Sequence, residues 1–407
     1  MVDQYESQIN SNDSKNSNDS NSSNNLNKSN VERSFNREDL LKNVSRVVVK
    51  VGTSSIIDDD GIKSGFFKRI TEQVKHLMDS GIQVIIVSSG AIGVGLGILG
   101  IEAKPHEIPI RQAAAAVGQS ELMHVWADAF EKHNLKVAQI LLSYDFYSDR
   151  VKYLNLRNSI MTILSYGVVP IINENDSTCT NEIETLFGDN DRLSAMVSSK
   201  IEADLMIILS DVEGLYDRNP KFYCGANRIP IVWEITPEIE SYGGDPSGTR
   251  GTGGMRTKLE AAKICEKSGC HMVIAHNEVP DVLIRLVNGE DIGTIFPAHE
   301  KRAKNKSRWL LLSKSEGTIH VDRGAMDALV SGIGLLPSGI YSVSGNFERG
   351  DIVRIECGGA VFAKGITDYS SAELDLIKGA QTNEIESILG HKNYDHVIRK
   401  ENLAIYD

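Results

Sequence analysis

The sequence predicts an α/β protein: a mainly parallel sheet with helices on both faces, followed by a small separate β domain. Three observations carry that reading. Between residues 46 and 277, short apolar runs rich in Val and Ile alternate with longer stretches of helical spacing, the pattern of strands joined by right-handed crossovers. Polar residues collect just past those runs, at Gly52, Ser89, Asn175, Asp176, Ser210 and Asp211, and the carboxyl ends of strands are where such sheets bind ligands. Past residue 300 the character changes to short strands punctuated by turn signals, as in a compact barrel.

Element by element, Arg46-Val-Val-Val-Lys-Val51 reads as a buried strand, with Gly52-Thr53-Ser54-Ser55 as a loop. Residues 65–79 have helical spacing, and Ile82 to Val87 form a second strand that ends in Ser88-Ser89-Gly90-Ala91. A long helix is expected over 111–132, a strand over Val137–Leu142 and a helix near 151–166. Val168–Asn173 is a strand that breaks into Glu174-Asn175-Asp176-Ser177. Residues 190–200 are helical, Leu205–Leu209 a strand, and a helix at 257–268 leads into the apolar run Met272–Ala275. In the second part, strands are expected at Thr318–Val321, Gly339–Tyr341, Asp351–Ile355 and Ala360–Lys364, with turns at Pro337-Ser338-Gly339, Asn346, Gly350 and Gly358-Gly359. The divisions expected are a disordered Asn/Ser-rich tail over 1–40, a first domain over 44–300 and a β domain over 315–395.

Composition narrows the function. The chain has 407 residues, 41% of them hydrophobic, enough for a sizeable core in roughly two or three domains. No run approaches the roughly 18 apolar residues of a membrane helix. The tail has no apolar segment and so reads as neither secretory signal nor transit peptide. A net charge of -12 argues against a nucleic-acid partner, which would select a basic face. Five cysteines, an odd count with no C-x-x-C pair, fit a reducing cytoplasm without disulfides or zinc. Cys265 and Cys270 are expected on one helix as ordinary core residues.

The strongest chemical signal is Thr252-Gly253-Gly254-Met255-Arg256-Thr257-Lys258, running into the helix former Leu259-Glu260-Ala261-Ala262-Lys263. Glycines let a backbone approach an anion and aim N–H groups at it, and a helix N-terminus adds partial positive charge. Lys258 adds a full charge one turn in. This is a phosphate cradle without the Walker A spacing, to be weighed against a plain surface loop. Gly95-Leu-Gly97-Ile-Leu-Gly100 matches the dinucleotide fingerprint literally. It is discounted, because Ser88–Ala91 already occupies the strand-to-helix turn. Close packing or a mobile loop is the better reading of those glycines. None of the ten histidines has a partner at nucleophile or metal spacing, and no metal-ligating set is read. Lys50, in an apolar strand beside Gly52, is either an edge lysine or a partner of Lys258 around a phosphoryl group. Gly188-Asp189-Asn190-Asp191 exceeds what one helix cap needs. With Asp176 it could hold an ammonium ion and orient a lysine. Two lysines, glycines and strand-end carboxylates suit phosphoryl transfer.

At these residues the chain resembles the glutamate 5-kinases (γ-glutamyl kinases) of the amino-acid kinase family. The matching stretches are Val49–Ser54, Val87–Ile92, Ala116–Gln119, Asn173–Asp176, Gly188–Asp191, Ser210–Tyr216 and Gly251–Lys258, in the family's order. The C-terminal part is similar to the family's PUA domain at Val321–Ala325 and Gly345–Gly350. The resemblance implies a three-layer αβα sandwich and ATP-dependent phosphorylation of the glutamate γ-carboxylate, the first step of proline synthesis, in the cytoplasm. It implies glutamate binding by Ser89, Asp176 and Asn190, with Asp189 assisting. Lys50, Ser210, Asp211 and Thr252, Gly253, Gly254, Met255, Arg256, Thr257 and Lys258 would bind ATP. Lys50, Lys258 and Mg²⁺ would stabilise the transferred group, with Asp191 orienting the lysines. Proline as feedback inhibitor, a homo-oligomer and hand-off to glutamyl phosphate reductase are further implications.

One departure stands out. Family members read Glu-Ile-Lys, one residue, then Gly-Asp-Asn-Asp, whereas this chain has Glu184 in place of the lysine and a loop two residues longer before Gly188. That bears on glutamate affinity and on proline feedback. Two other functions compete: a sister kinase of the same fold with another acceptor, and an RNA-binding protein using the PUA-like domain. Residues 316–395 hold six Lys and Arg against twelve Asp and Glu, the wrong sign for phosphate backbones.

Overall fold

The computed structural model describes residues 36–101, 107–143, 150–178, 190–244, 254–298, 310–311, 313–392 and 394–406. Asp189, Thr252, Gly253 and the loop around Glu184 lie outside the described residues, as does most of the Asn/Ser tail. In chain order the first part comprises α1 (Arg37–Leu41), β1 (Arg46–Val51), α2 (Thr53–Ile56), α3 (Ser64–Asp79), β2 (Gln83–Ser88), α4 (Ala91–Leu99), α5 (Ile108–Glu131), β3 (Val137–Leu142) and α6 (Arg150–Ser165). There follow β4 (Val169–Glu174), α7 (Asn190–Lys200), β5 (Leu205–Ser210), α8 (Met255–Ser268), β6 (His271–His276), α9 (Val282–Val287) and β7 (Thr294–Phe296). The seven strands form one sheet in the order β3-β4-β2-β1-β5-β6-β7. Every neighbouring pair is parallel except β6–β7.

The three layers follow from strand parity, since successive side chains point to opposite faces. On β1, Val47, Val49 and Val51 join a core with Phe67, Ile70, Trp126 and Phe130 from α3 and α5. Val48 joins the opposite core, with Leu193 and Val197 from α7 and Leu259 and Ala262 from α8. Lys50 is the next even position. It therefore points into the α7–α8 face at the carboxyl end of the central strand, flanked on either side by β2 and β5.

Three local expectations are corrected, and two further elements appear. Residues Thr53–Ile56 are a short helix rather than loop. The glycine-rich stretch after Gly90 is helix α4, and β7 adds an antiparallel edge strand. A Cβ at Gly95 would lie 1.8 Å from the Ala114 carbonyl oxygen, and one at Gly118 would lie 1.9 Å from that of Ala91. Those glycines let α4 and α5 cross backbone to backbone, the close-packing reading of the decoy fingerprint. Helix α8 ends at Ser268, so Cys270 lies beyond it although both cysteines are buried. Finally, α1 begins inside the expected tail. Its Arg37 is buried and donates to the carbonyls of Pro230, Ile292 and Gly293.

The second part holds β8 (Gly317–Val321), α10 (Arg323–Val330), β9 (Ile340–Gly345), β10 (Ile352–Cys357), β11 (Ala360–Ile366), α11 (Ser371–Ile377) and β12 (Leu403–Ile405). Its sheet runs β9-β8-β10-β11-β12 around its own core of Ile319, Val321, Phe347, Val353, Ile355 and Tyr369. Asp322 caps α10 by accepting from Ala325 N at 2.7 Å. Ser370 and Glu373 form a reciprocal capping box on α11. Arg399 pairs with Asp368 at 2.8 Å and donates to Asn158 Oδ1 on α6 at 3.0 Å, which ties this part to the first.

Candidate active site

Three of the sequence-derived residues converge at the carboxyl edge of the sheet. Lys50 arrives from β1, Asp191 from the first turn of α7 and Lys258 from the first turn of α8. Lys50 Nζ lies 2.6 Å from Asp191 Oδ1, and Lys258 Nζ lies 3.0 Å from Oδ2. Thr257 Oγ1 stands 3.0 Å from the same Oδ2. Asp191 is 0% exposed, Lys50 6% and Lys258 4%. Burial pushes the Asp191 carboxyl up, but the charges and hydrogen bonds of Lys50 and Lys258 outweigh it and hold the pKa at about 2. One carboxylate thus serves two ammonium groups in a buried, water-poor centre. Such a centre is suited to negative charge that develops during a reaction.

Helix α8 adds to it. Gly254 is its N-cap in extended conformation and supplies no side-chain cap, the kind of helix start that presents N–H groups to an anion. Met255 and Thr257 share that turn. The guanidinium of Arg256 instead pairs with Glu260 at 3.3 Å, so this side chain is not gathered with the others. Ser210, at the end of β5, contacts Asp211 Oδ1 at 3.2 Å, and Asp211 is exposed beside it.

The acceptor-side candidates form a second group, an amide chain beside two acids. Asn190 Nδ2 donates to Ser88 O at 3.1 Å, to Ser89 Oγ at 2.8 Å and to Asn173 Oδ1 at 3.0 Å. Asn173 Nδ2 donates in turn to Gln119 Oε1 at 2.9 Å. Beside this chain lies a cavity of about 270 Å³ whose lining includes Ala116, Gln119, Gln139, Glu174, Asn175 and Asp176. Asp176 opens a 3₁₀ turn there.

Sequence reasoning missed three of these polar residues as site members: Gln119, Asn173 and Asn277. Asn277 N donates to Ser210 O at 2.9 Å, and its Nδ2 donates to the buried Ser55 Oγ at 2.6 Å. It thereby ties the turn after β1 to the ends of β5 and β6. The available signal was that each sits at or just past a strand end or in a stretch shared with the resembling family. Among the described residues no three His, Cys, Asp or Glu side chains cluster as a metal site.

Known proteins share the two-part organisation of this chain. The amino acid kinase family matches residues 45–276 and the PUA domain matches residues 317–389. The chain is 59% identical over 380 residues to the glutamate 5-kinase of Methanosarcina barkeri, covering 91% of this chain and 99% of that one. It is 58% identical to the glutamate 5-kinase of Methanosarcina mazei, covering 91% and 98%. To that of Syntrophotalea carbinolica it is 46% identical, covering 91% and 99%. No helix among the described residues is long and apolar enough to cross a membrane. With two domains matched in order and near full-length relatives at this identity, the chain belongs to the amino acid kinase family and carries a C-terminal PUA domain.

Proposed function

We propose that this enzyme transfers the γ-phosphoryl group of ATP to the γ-carboxylate of L-glutamate, giving L-glutamyl 5-phosphate, the first step of proline biosynthesis. The observation that carries the reading is the Lys50–Asp191–Lys258 centre at the carboxyl edge of the sheet, taken with relatives named glutamate 5-kinase. The kinase domain is assigned to residues 44–300 and the PUA-like domain to 315–395.

The glutamate γ-carboxylate oxygen attacks the γ-phosphorus in line. A new P–O bond forms as the bond to the β-phosphate oxygen breaks, and ADP leaves. The acceptor is already ionised near neutral pH, so no general base is required. Lys50 and Lys258 face the phosphoryl oxygens, and Asp191 fixes both ammonium groups from behind. Met255, Thr257 and the start of α8, with Ser210 and Asp211, hold the nucleotide, joined by Thr252 and Gly253. Ser89, Asp176 and Asn190, with Asp189, hold the amino acid. Asp191 is engaged by Lys50 and Lys258, and among the described residues no three His, Cys, Asp or Glu side chains cluster as a metal site. Mg²⁺ would enter with the nucleotide phosphates and offset their charge. The acyl phosphate product is prone to hydrolysis, which suits hand-off to a reductase in the cytoplasm.

ADP release with glutamate, ATP and Mg²⁺, with and without proline, tests this directly. Glutamate-dependent turnover that proline suppresses is the expected result. Turnover of another carboxylate, a carbamate or a phosphate, with none on glutamate, would reassign the acceptor within the same fold.

A further inference from the structure

The amide side chains beside the cavity can be oriented from the backbone outward. The Glu174 N–H donates to Asn173 Oδ1 at 2.9 Å. A backbone N–H can only donate, so that atom of Asn173 is the oxygen and the other is Nδ2. Nδ2 reaches Gln119, which must therefore present Oε1. The remaining polar atom of Gln119, the Nε2 donor, is what this residue has left to offer the cavity it lines. Asn190 is anchored independently. Its nitrogen faces the Ser88 carbonyl, which can only accept, so its Oδ1 is left to face a donor.

The cavity wall thus pairs two acids, Glu174 and Asp176, with the amide donor of Gln119, whose orientation is set by the fold; the half-buried Asn175 also lines it and is taken up at Oδ1 by Ser177 Oγ at 2.7 Å. Gln139, Ser120 and Ser177 also line it but are exposed, whereas Gln119 is 9% exposed. An amino acid brings an ammonium group and a carboxylate on one carbon. The acids match the ammonium group, and the carboxylate needs a desolvated N–H.

We propose that Gln119 is a specificity residue for the acceptor, its Nε2 donating to the α-carboxylate while Oε1 is held by Asn173. This rests on the reading of the acceptor as glutamate. Gln119→Glu keeps the shape and the oxygen toward Asn173 but replaces the donor with an oxygen. The expected result is a KM for glutamate raised about 10-fold or more, with the KM for ATP and the melting temperature little changed. The discriminating probe is 4-aminobutyrate, which keeps the amine and the reacting carboxylate but lacks the α-carboxylate. Its kcat/KM, or its inhibition constant against glutamate if turnover is slow, should move far less than that of glutamate. Gln119→Met, neutral and of similar length, repeats the comparison if the glutamate variant fails to fold.

An unchanged glutamate KM overturns the assignment. So does an equal loss for both acceptors, which would make Gln119 a support for Asn173 and nothing more. Failure of the wild-type enzyme to phosphorylate glutamate is a different result: it removes the function itself, and this inference with it.

Discussion

Asn190 and Asp191 are neighbours in the first turn of α7, roughly 100° apart around the helix, and they face opposite kinds of chemistry. Asp191 meets two ammonium groups and is fully buried. Asn190 meets a carbonyl, a hydroxyl and another amide. The phosphoryl side is built from fixed charge because the group it serves gains negative charge at the transferring atoms. The acceptor side combines amides with two acids, Glu174 and Asp176, because an amino acid brings both an ammonium group and carboxylates. Geometry, rather than net charge, must then select it. The helix start separates the two environments within a single residue step.

The comparison breaks most visibly at Asp191. Asp191→Asn removes a carboxylate that both lysines share, leaving two buried like charges less well compensated. Turnover should fall by about 10³-fold or more, with a much smaller change in the glutamate KM. Steady-state kinetics on folded variant protein would check it. A kcat within tenfold of wild type would mean that the lysines are positioned without Asp191.

The charged half was the more legible of the two in the sequence. A lysine beside a strand-end glycine, a glycine run ending in a lysine, and an excess of acids at a helix start each advertise a cost that only function repays. Strand parity puts Lys50 on the side opposite Val49 and Val51, and the packing of α7 and α8 makes that side the α7–α8 face. The amide half was hidden because Asn173 and Gln119 look like ordinary turn and helix residues. Their partners lie 54 and 17 positions away, and only the strand order, with β4 beside β2, brings them together. The choice between close packing and a mobile loop for the glycines of α4 was left open for a related reason. Gly93, Gly95 and Gly97 lower helix propensity, yet close approach to Gly118 on α5 overrides it. Nothing in the chain before Gly118 announces that partner.

A second prediction concerns acid. The Asp191 pKa of about 2 lies below that of an unfolded aspartate, near 4. A depressed folded-state pKa contributes stability that is fully present above the unfolded value. It is lost as pH falls from about 4 through about 2. The contribution is on the order of 2 kcal/mol. Urea unfolding of wild type and Asp191→Asn should therefore show a stability gap that is constant above pH 5 and narrows below pH 4. A gap that widens on acidification would reverse the sign and remove the carboxylate from its role between the lysines.

The smallest expected effect lies in the amide half, at Asn173. Its side chain accepts from Glu174 N and Asn190 Nδ2 and donates to Gln119, so Asn173→Ala loosens two residues that face the acceptor at once. Neither carries charge, and neither touches Lys50 or Lys258 in any contact described above. The loss should therefore appear as an increase of about 10-fold in the glutamate KM, the size of one buried hydrogen bond. The KM for ATP should stay fixed, with kcat reduced only a few-fold. If kcat falls as steeply as in Asp191→Asn, the amide chain does more than hold the acceptor: it also sets the start of α7, and the two halves are one mechanical unit. If only the glutamate KM moves, the single residue step between Asn190 and Asp191 divides recognition from chemistry.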